Sequence, residues 1–237
     1  MSKVIAVFGA GPGLGASVAR RFAREGFRVA LVARRKDRLD ALVEQLTGEG
    51  IEAAGFPADL SEPAEIPALI KAIRERFGRL DVIEYGPIGT EQSFLPAAQL
   101  DAATLRKDIP LMLLTPVEVV RAALPEWTER GDGAFLMATG HTAVQPQPFM
   151  SGVGPLMAAA RNWLYSLNGE LASSGIYAGT LSVTAFIARS AAAEATAQTM
   201  PEAIGALVDP DDLAEQYWDL YIKRDRVEQV YPEPKAG

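Results

Sequence analysis

The sequence predicts one α/β domain spanning 1–237, a doubly wound parallel sheet in three layers. Three observations carry that expectation. A short apolar stretch at Val4 runs into a turn containing four glycines and then into a helical pattern. Apolar strand-like stretches alternate with helical patterns along most of the chain, the order of a parallel sheet with helices on both faces. Finally, 49% of the 237 residues are apolar, enough to cover both faces of such a sheet.

Each element has a local reason. In V-I-A-V-F-G-A-G-P-G-L-G, residues 4–15, missing side chains allow a tight turn and a close approach of an anion to the main chain. The helix over 16–25 offers that anion its free N–H groups and its dipole. Gly9, Gly13 and Gly15 fit the spacing G-x-x-x-G-x-G. The stricter G-x-G-x-x-G fails, because Leu14 stands where its last glycine belongs. Gly26 marks the end of the first helix, and 28–32 forms the second strand. The helix over 37–46 carries the stripe Leu39, Leu42, Val43 and Leu46. A third strand, 51–56, leads into Ala58-Asp59-Leu60. Ser61 and Pro63 open a helix that ends at Phe77 with Gly78 behind it. A fourth strand over 80–85 precedes a loop rich in Gly and Pro over 86–96. The helical pattern over 101–130 is interrupted by Pro110 and Pro116, and Thr115-Pro116-Val117-Glu118 reads as a capping box, so a break or kink is expected there. A fifth strand (134–138), a long helix (154–173, stopped by Gly175) and a sixth strand (176–183) follow. Residues 188–208 are weakly patterned. Asp209-Pro210-Asp211 opens a last helix to about Lys223, and a strand over 227–231 ends the pattern. There is no internal repeat and no linker long enough to divide domains.

Composition narrows the function. The net charge is −7, and the one basic run is Arg34-Arg35-Lys36, which argues against nucleic acid as a partner. With no cysteine, one histidine and no clustered carboxylates, neither thiolate chemistry nor a metal site is expected. The first strand begins at Lys3, leaving no room for a signal peptide, and no apolar run is long enough for a bilayer. A soluble cytoplasmic protein acting on a small molecule is the expectation.

The glycine turn and the element order resemble the short-chain dehydrogenase/reductase family over nearly the whole chain, although Phe8 stands where that family usually has Thr. The resemblance implies a Rossmann-like fold and a nicotinamide cofactor in a crevice at the carboxyl ends of the strands. It assigns the pyrophosphate to Gly9, Gly11, Pro12, Gly13, Leu14 and Gly15. At the end of the second strand, NAD-preferring members carry an acid. Here Ala33 is followed by Arg34 and Arg35, a guanidinium being the natural partner of a phosphate ester, so NADP(H) is implied. Asp59 and Leu60 correspond to the adenine contact, although Asp59 also suits a helix-entry role. Tyr85-Gly86-Pro87-Ile88 replaces the family's Asn-Asn-Ala-Gly, placing Tyr85 and Gly86 beside the adenine ribose. Val183-Thr184 replaces Pro-Gly, with Ile187 beyond it near the carboxamide.

The family's chemistry uses Ser, Tyr and Lys, with an Asn holding a water chain. Counted back from Arg161-Asn162-Trp163, the register places Met157 at the Lys position, Val153 at the Tyr position, Gly140 at the Ser position and Met112 near the Asn position. Loss of a general acid removes a factor of about 10²–10⁴ in rate. His141, with Thr139 and Thr142 to orient a substrate oxygen, is the candidate replacement; a lone loop histidine is as readily idle. Glu84 and Tyr85 are weaker candidates, read equally as a strand-end charge and a core aromatic. Phe149, Met150, Val153, Met157 and Phe186 would form an apolar wall, and 188–208 corresponds to a mobile substrate lid. The resulting expectation is an NADP(H)-dependent oxidoreductase transferring hydride to a small hydrophobic carbonyl, imine or activated alkene with a non-standard proton donor. The alternatives are a non-redox isomerase or cyclase on this scaffold and a catalytically silent NADP-binding protein. A homodimer or homotetramer, paired through 116–130 and 154–173, is implied by the resemblance alone.

Overall fold

The structure, a computed structural model, describes residues 2–87, 95–190, 193–194, 197–198 and 206–233. Of the expected lid, 191–192, 195–196 and 199–205 lie outside the described residues, as does Ile88. Strands β1 (Val4–Phe8), β2 (Arg28–Ala33), β3 (Ala53–Pro57), β4 (Val82–Tyr85), β5 (Gly133–Gly140) and β6 (Ile176–Val183) form one sheet with the last strand, β9 (Glu228–Tyr231). Their order is β3-β2-β1-β4-β5-β6-β9, and every pairing is parallel. A small second sheet pairs β7 (Phe186–Ile187) with β8 (Leu207–Val208).

Alternation along β1 sorts the layers. Ile5 and Val7 face helices α1 (Leu14–Ala23), α2 (Lys36–Gly48) and the last helix, α7 (Pro210–Lys223). Val4, Ala6 and Phe8 face α3 (Ile66–Phe77), α5 (Thr115–Arg130) and α6 (Gly154–Leu171). All five residues of β1 are buried, as expected for a strand covered on both faces. The chain reverses direction across the sheet at β1, which has β2 on one side and β4 on the other, so the carboxyl ends of β1 and β4 flank a crevice.

Most predicted elements stand where the local pattern put them. Asp209 caps α7 through its carboxylate, which accepts from the Asp211 amide at 2.9 Å. Gly78 ends α3 in the left-handed region, at φ +78°. Gly175, at φ +73°, ends the turn after α6, and a Cβ on it would lie 2.3 Å from the Gly131 carbonyl oxygen. Gly175→Ala is therefore expected to cost more than the roughly 1–2 kcal/mol of a left-handed L-residue. An unchanged urea midpoint would refute this.

The capping box is a correction. The helix α4 (Ala102–Ile109) does not end at Pro110. It continues through a widened π turn, Pro110–Leu114, directly into α5. Thr115 caps nothing, because its hydroxyl donates to the Leu60 carbonyl at 2.8 Å and is fully buried. The π turn absorbs the hydrogen bond that Pro110 cannot donate. It also carries Met112 inward, toward α6.

Candidate active site

At one end of the crevice lies the glycine turn. Gly9 adopts φ +86°, and its amide and that of Ala10 both donate to the Val32 carbonyl at 2.9 Å, tying the turn to β2. A Cβ on Gly9 would stand 2.9 Å from the Pro87 nitrogen, and one on Gly15 would stand 2.9 Å from the Ala10 Cα. Gly11, by contrast, faces open space, and Pro12 beside it is exposed. The N-terminus of α1 begins at Leu14 with no side-chain cap and no acidic residue in its first turn. This end suits an anion: backbone amides without a side-chain cap, at the positive end of the helix dipole. Beyond β2, Arg34 and Arg35 are exposed, and neither has an ion pair with a described residue. The residues present thus fit a nicotinamide dinucleotide with a 2′-phosphate.

Three expected cofactor contacts change character. Asp59 accepts from the Ser61 amide at 2.9 Å, the helix-entry role, leaving its second carboxylate oxygen for another donor. Leu60 is drawn into the core under α5, with its carbonyl taken by Thr115. Tyr85 is a correction: fully buried on the α5 face, its hydroxyl donates to the Leu111 carbonyl, so its side chain faces away from the crevice. Gly86 stays in place, its amide donating to the Phe8 carbonyl at 3.0 Å. Ile187 pairs with Val208 at the far end.

At the other end the structure brings together the four positions that the register singled out. The Gly140 amide donates to the Met157 thioether at 3.2 Å. Met112, Val153, Leu156 and Met157 form one buried apolar cluster. A Cβ on Gly140 would lie 3.1 Å from the Met157 sulfur. Met150 packs on this cluster, and Phe186 is half-buried in β7. Phe149 is no wall: it is 62% exposed, in the left-handed region at φ +67°.

Thr139 is also corrected as an orienting group. It is buried, with its hydroxyl 2.9 Å from those of both Thr180 and Ser182. Ser182 in turn donates to Glu228, which holds Arg161 of α6 at 2.9 Å. The hydroxyl therefore ties β5 to β6, with none left over for a substrate. His141 is half-buried at the loop mouth, its Nε2 3.3 Å from the Gln145 side-chain oxygen and its Nδ1 buried without a partner. Thr142 is half-buried against the first turn of α6. These two stay near the cluster.

A different group emerges from the core. Glu84, on the central strand β4, is 1% exposed and faces α7. Its Oε1 and the Tyr217 hydroxyl are both buried without a hydrogen-bond partner of good geometry. Burial pushes the Glu84 carboxyl up to about 8, the nearby Tyr217 hydroxyl offsetting part of the rise, so the acid is mostly neutral at pH 7. The same burial raises the Tyr217 phenol well above its ordinary range. A Cβ on Gly86 would meet the Glu84 Oε1 at 2.7 Å. A carboxylate next to Tyr in a strand reads as an end charge from sequence, and only the α7 packing shows it buried.

A family model, short chain dehydrogenase, matches residues 3–199. The chain belongs to the short-chain dehydrogenase family. It is 29% identical over 180 residues to a fatty acyl-CoA reductase of Mycobacterium tuberculosis, covering 76% of this chain and 61% of that protein. It thus spans about three-fifths of the mycobacterial relative. It is also 29% identical over 177 residues to sulfoacetaldehyde reductase 2 of Chromohalobacter salexigens, covering 74% and 69% of the two chains. The fold is shared with L-sorbose reductase from Gluconobacter frateurii, a structure complexed with NADPH and L-sorbose: TM-score 0.86, 22% identity, 97% of this chain and 94% of that one. It is shared equally with an NADPH-bound short chain oxidoreductase from Pseudomonas aeruginosa containing an atypical catalytic center: TM-score 0.85, 20% identity, 99% and 98%. No described helix of this family member is long and apolar enough to cross a membrane. Among the described residues, no cluster of three or more His, Asp or Glu side chains could hold a metal ion.

Proposed function

We propose that this protein is an NADP(H)-dependent oxidoreductase that passes hydride to or from a small hydrophobic carbonyl, imine or activated alkene, without the family's Ser-Tyr-Lys machinery. The observation that carries the cofactor half is the uncapped α1 N-terminus with the exposed Arg34 and Arg35 just beyond β2, neither of them ion-paired to a described residue. When bound, the cofactor supplies the hydride chemistry. The chain's own part is to hold the diphosphate on backbone amides, to neutralise the 2′-phosphate and to exclude water. The apolar cluster of Met112, Val153 and Met157 offers no proton, so the substrates favoured are those already electrophilic. His141, in the turn that follows Gly140, is the titratable group assigned here as donor, with Thr142 beside it.

The cofactor half is tested by titrating the protein with NADPH and NADH. Micromolar NADPH binding with weak NADH binding is expected. Arg34→Ala should then weaken NADPH by about tenfold or more while sparing NADH, because a charged phosphate contact contributes roughly 1.5–3 kcal/mol. Equal losses for both nucleotides would refute the phosphate assignment.

One observation favours the second reading, a catalytically silent NADP-binding protein: the cluster is closed as well as apolar, with Val153 1% exposed and Met157 6%. Assay against aldehydes, iminium ions and enones separates the two. Substrate-dependent NADPH consumption supports the oxidoreductase, and His141→Ala should then abolish it. Tight binding with no turnover across the panel supports the silent protein.

A further inference from the structure

The glycine turn carries a neighbour that its nucleotide role does not require. A Cβ on Gly13 would lie 3.0 Å from the Arg189 carbonyl oxygen and 3.3 Å from that of Ala188. The chain leaving β7 therefore crosses the turn in van der Waals contact. Its backbone is pinned there, since Ala188 donates to the Val208 carbonyl at 2.9 Å, and β7 pairs with β8. At the crossing point Arg189 adopts φ +61°, a conformation that an L-residue holds only when its surroundings impose it. Its guanidinium donates to Asp209 at 2.9 Å and lies 3.4 Å from Asp211.

That latch is weak. All three side chains are more than half exposed, at 52%, 57% and 63%, where ion pairs contribute little. Releasing the arginine would strand neither acid. Asp209 would still cap α7, and both carboxylates sit at the positive end of that helix. Gly11, two residues earlier in the same turn, faces open space, so the turn keeps room for a ligand. A diphosphate seated on the α1 amides brings negative charge next to Arg189, and the turn itself supplies no cation.

We propose that Arg189 is a diphosphate-binding residue, latched by Asp209 and Asp211 in the free protein and turned onto the phosphates when a dinucleotide occupies the glycine turn. The proposal rests on the cofactor reading above. It adds a cation that the glycine motif does not contain, and it gives Arg189 a second task, masking two acids from the incoming anion. Only the side chain moves, because the backbone of 188–189 is already held against Gly13.

Calorimetric titration of the full chain with NADPH, NADH, ADP-ribose and 2′-AMP tests it. The first three share a diphosphate, and 2′-AMP has none. Arg189→Met is expected to weaken the first three alike by about tenfold or more and to leave 2′-AMP unchanged. Asp209→Asn with Asp211→Asn, which keeps a capping side chain on α7 but frees the arginine, should tighten all three diphosphates. Unchanged dinucleotide binding in Arg189→Met would overturn the proposal. So would an equal loss for 2′-AMP, which would mark a general electrostatic or folding effect. If the parent binds none of the four, the cofactor reading itself fails. Binding by the parent with no response to Arg189→Met defeats this proposal alone.

Discussion

The combined variant Gly140→Ser, Val153→Tyr and Met157→Lys is expected to reduce a simple ketone with NADPH at least about 10²-fold faster than the parent, the lower end of what a positioned general acid contributes. The structure explains why the changes must be made together. A Cβ on residue 140 would stand 3.1 Å from the Met157 sulfur, so serine crowds that side chain unless position 157 changes with it. A lysine at 157 placed alone beside Met112, Val153 and Leu156 would bury an ammonium in an apolar cluster, which is costly without a partner. Singles should therefore gain nothing, and the effects should be strongly non-additive. NADPH consumption at 340 nm (about the nicotinamide absorption) reads the gain, and a thermal melt reports whether the core accepts the tyrosine ring. Gly140→Ser with Met157→Lys adds no ring, and its expected effect is tighter NADPH binding. A folded triple variant with no gain, together with an unimproved double, would remove these positions from the active site.

The second large effect concerns stability against pH. In the folded protein the Glu84 carboxyl titrates near 8, against 4.5 when unperturbed, so between those values the folded state holds a proton that the unfolded chain has lost. The stability this gives is fully present below the unfolded value. It is then lost as pH rises, at about 1.4 kcal/mol per unit, until the folded carboxyl itself ionises. From this group alone the loss between pH 5 and pH 8 is on the order of 3 kcal/mol. Glu84→Gln mimics the neutral acid and has no such slope. Urea unfolding should find the variant close to the parent at pH 5 and clearly more stable at pH 8. Parallel curves for the two proteins would show that Glu84 is ionised in the fold.

Both predictions turn on residues whose identity was plain in the sequence and whose surroundings were not. The register that puts Gly140, Val153, Met157 and Met112 together was readable by counting along the chain, and the structure does gather them. That they form a closed apolar cluster depends on the π turn at Pro110–Leu114, which carries Met112 inward. Local rules expected a break or kink at those prolines, because each lacks a backbone donor; they do not show that a π turn carries the chain on from α4 into α5. Thr139 and Thr142 looked equivalent beside His141. Strand alternation sends Thr139 into the sheet, where Thr180 and Ser182 claim its hydroxyl.

The sequence by itself determined the layered α/β architecture, the strand and helix order, the glycine turn and the family's cofactor end. Each is written in local patterns: period-2 and period-3.6 burial, glycines where main chains touch, prolines and aspartates at helix starts. The tertiary structure alone decided which polar groups are spent and which remain. It spent Tyr85 on Leu111, Thr115 on Leu60 and Asp59 on Ser61. It buried Glu84 against Tyr217 and laid Arg189 across Gly13. These pairings join residues far apart in the chain, and whether a donor or a charge is satisfied depends on what the fold sets against it.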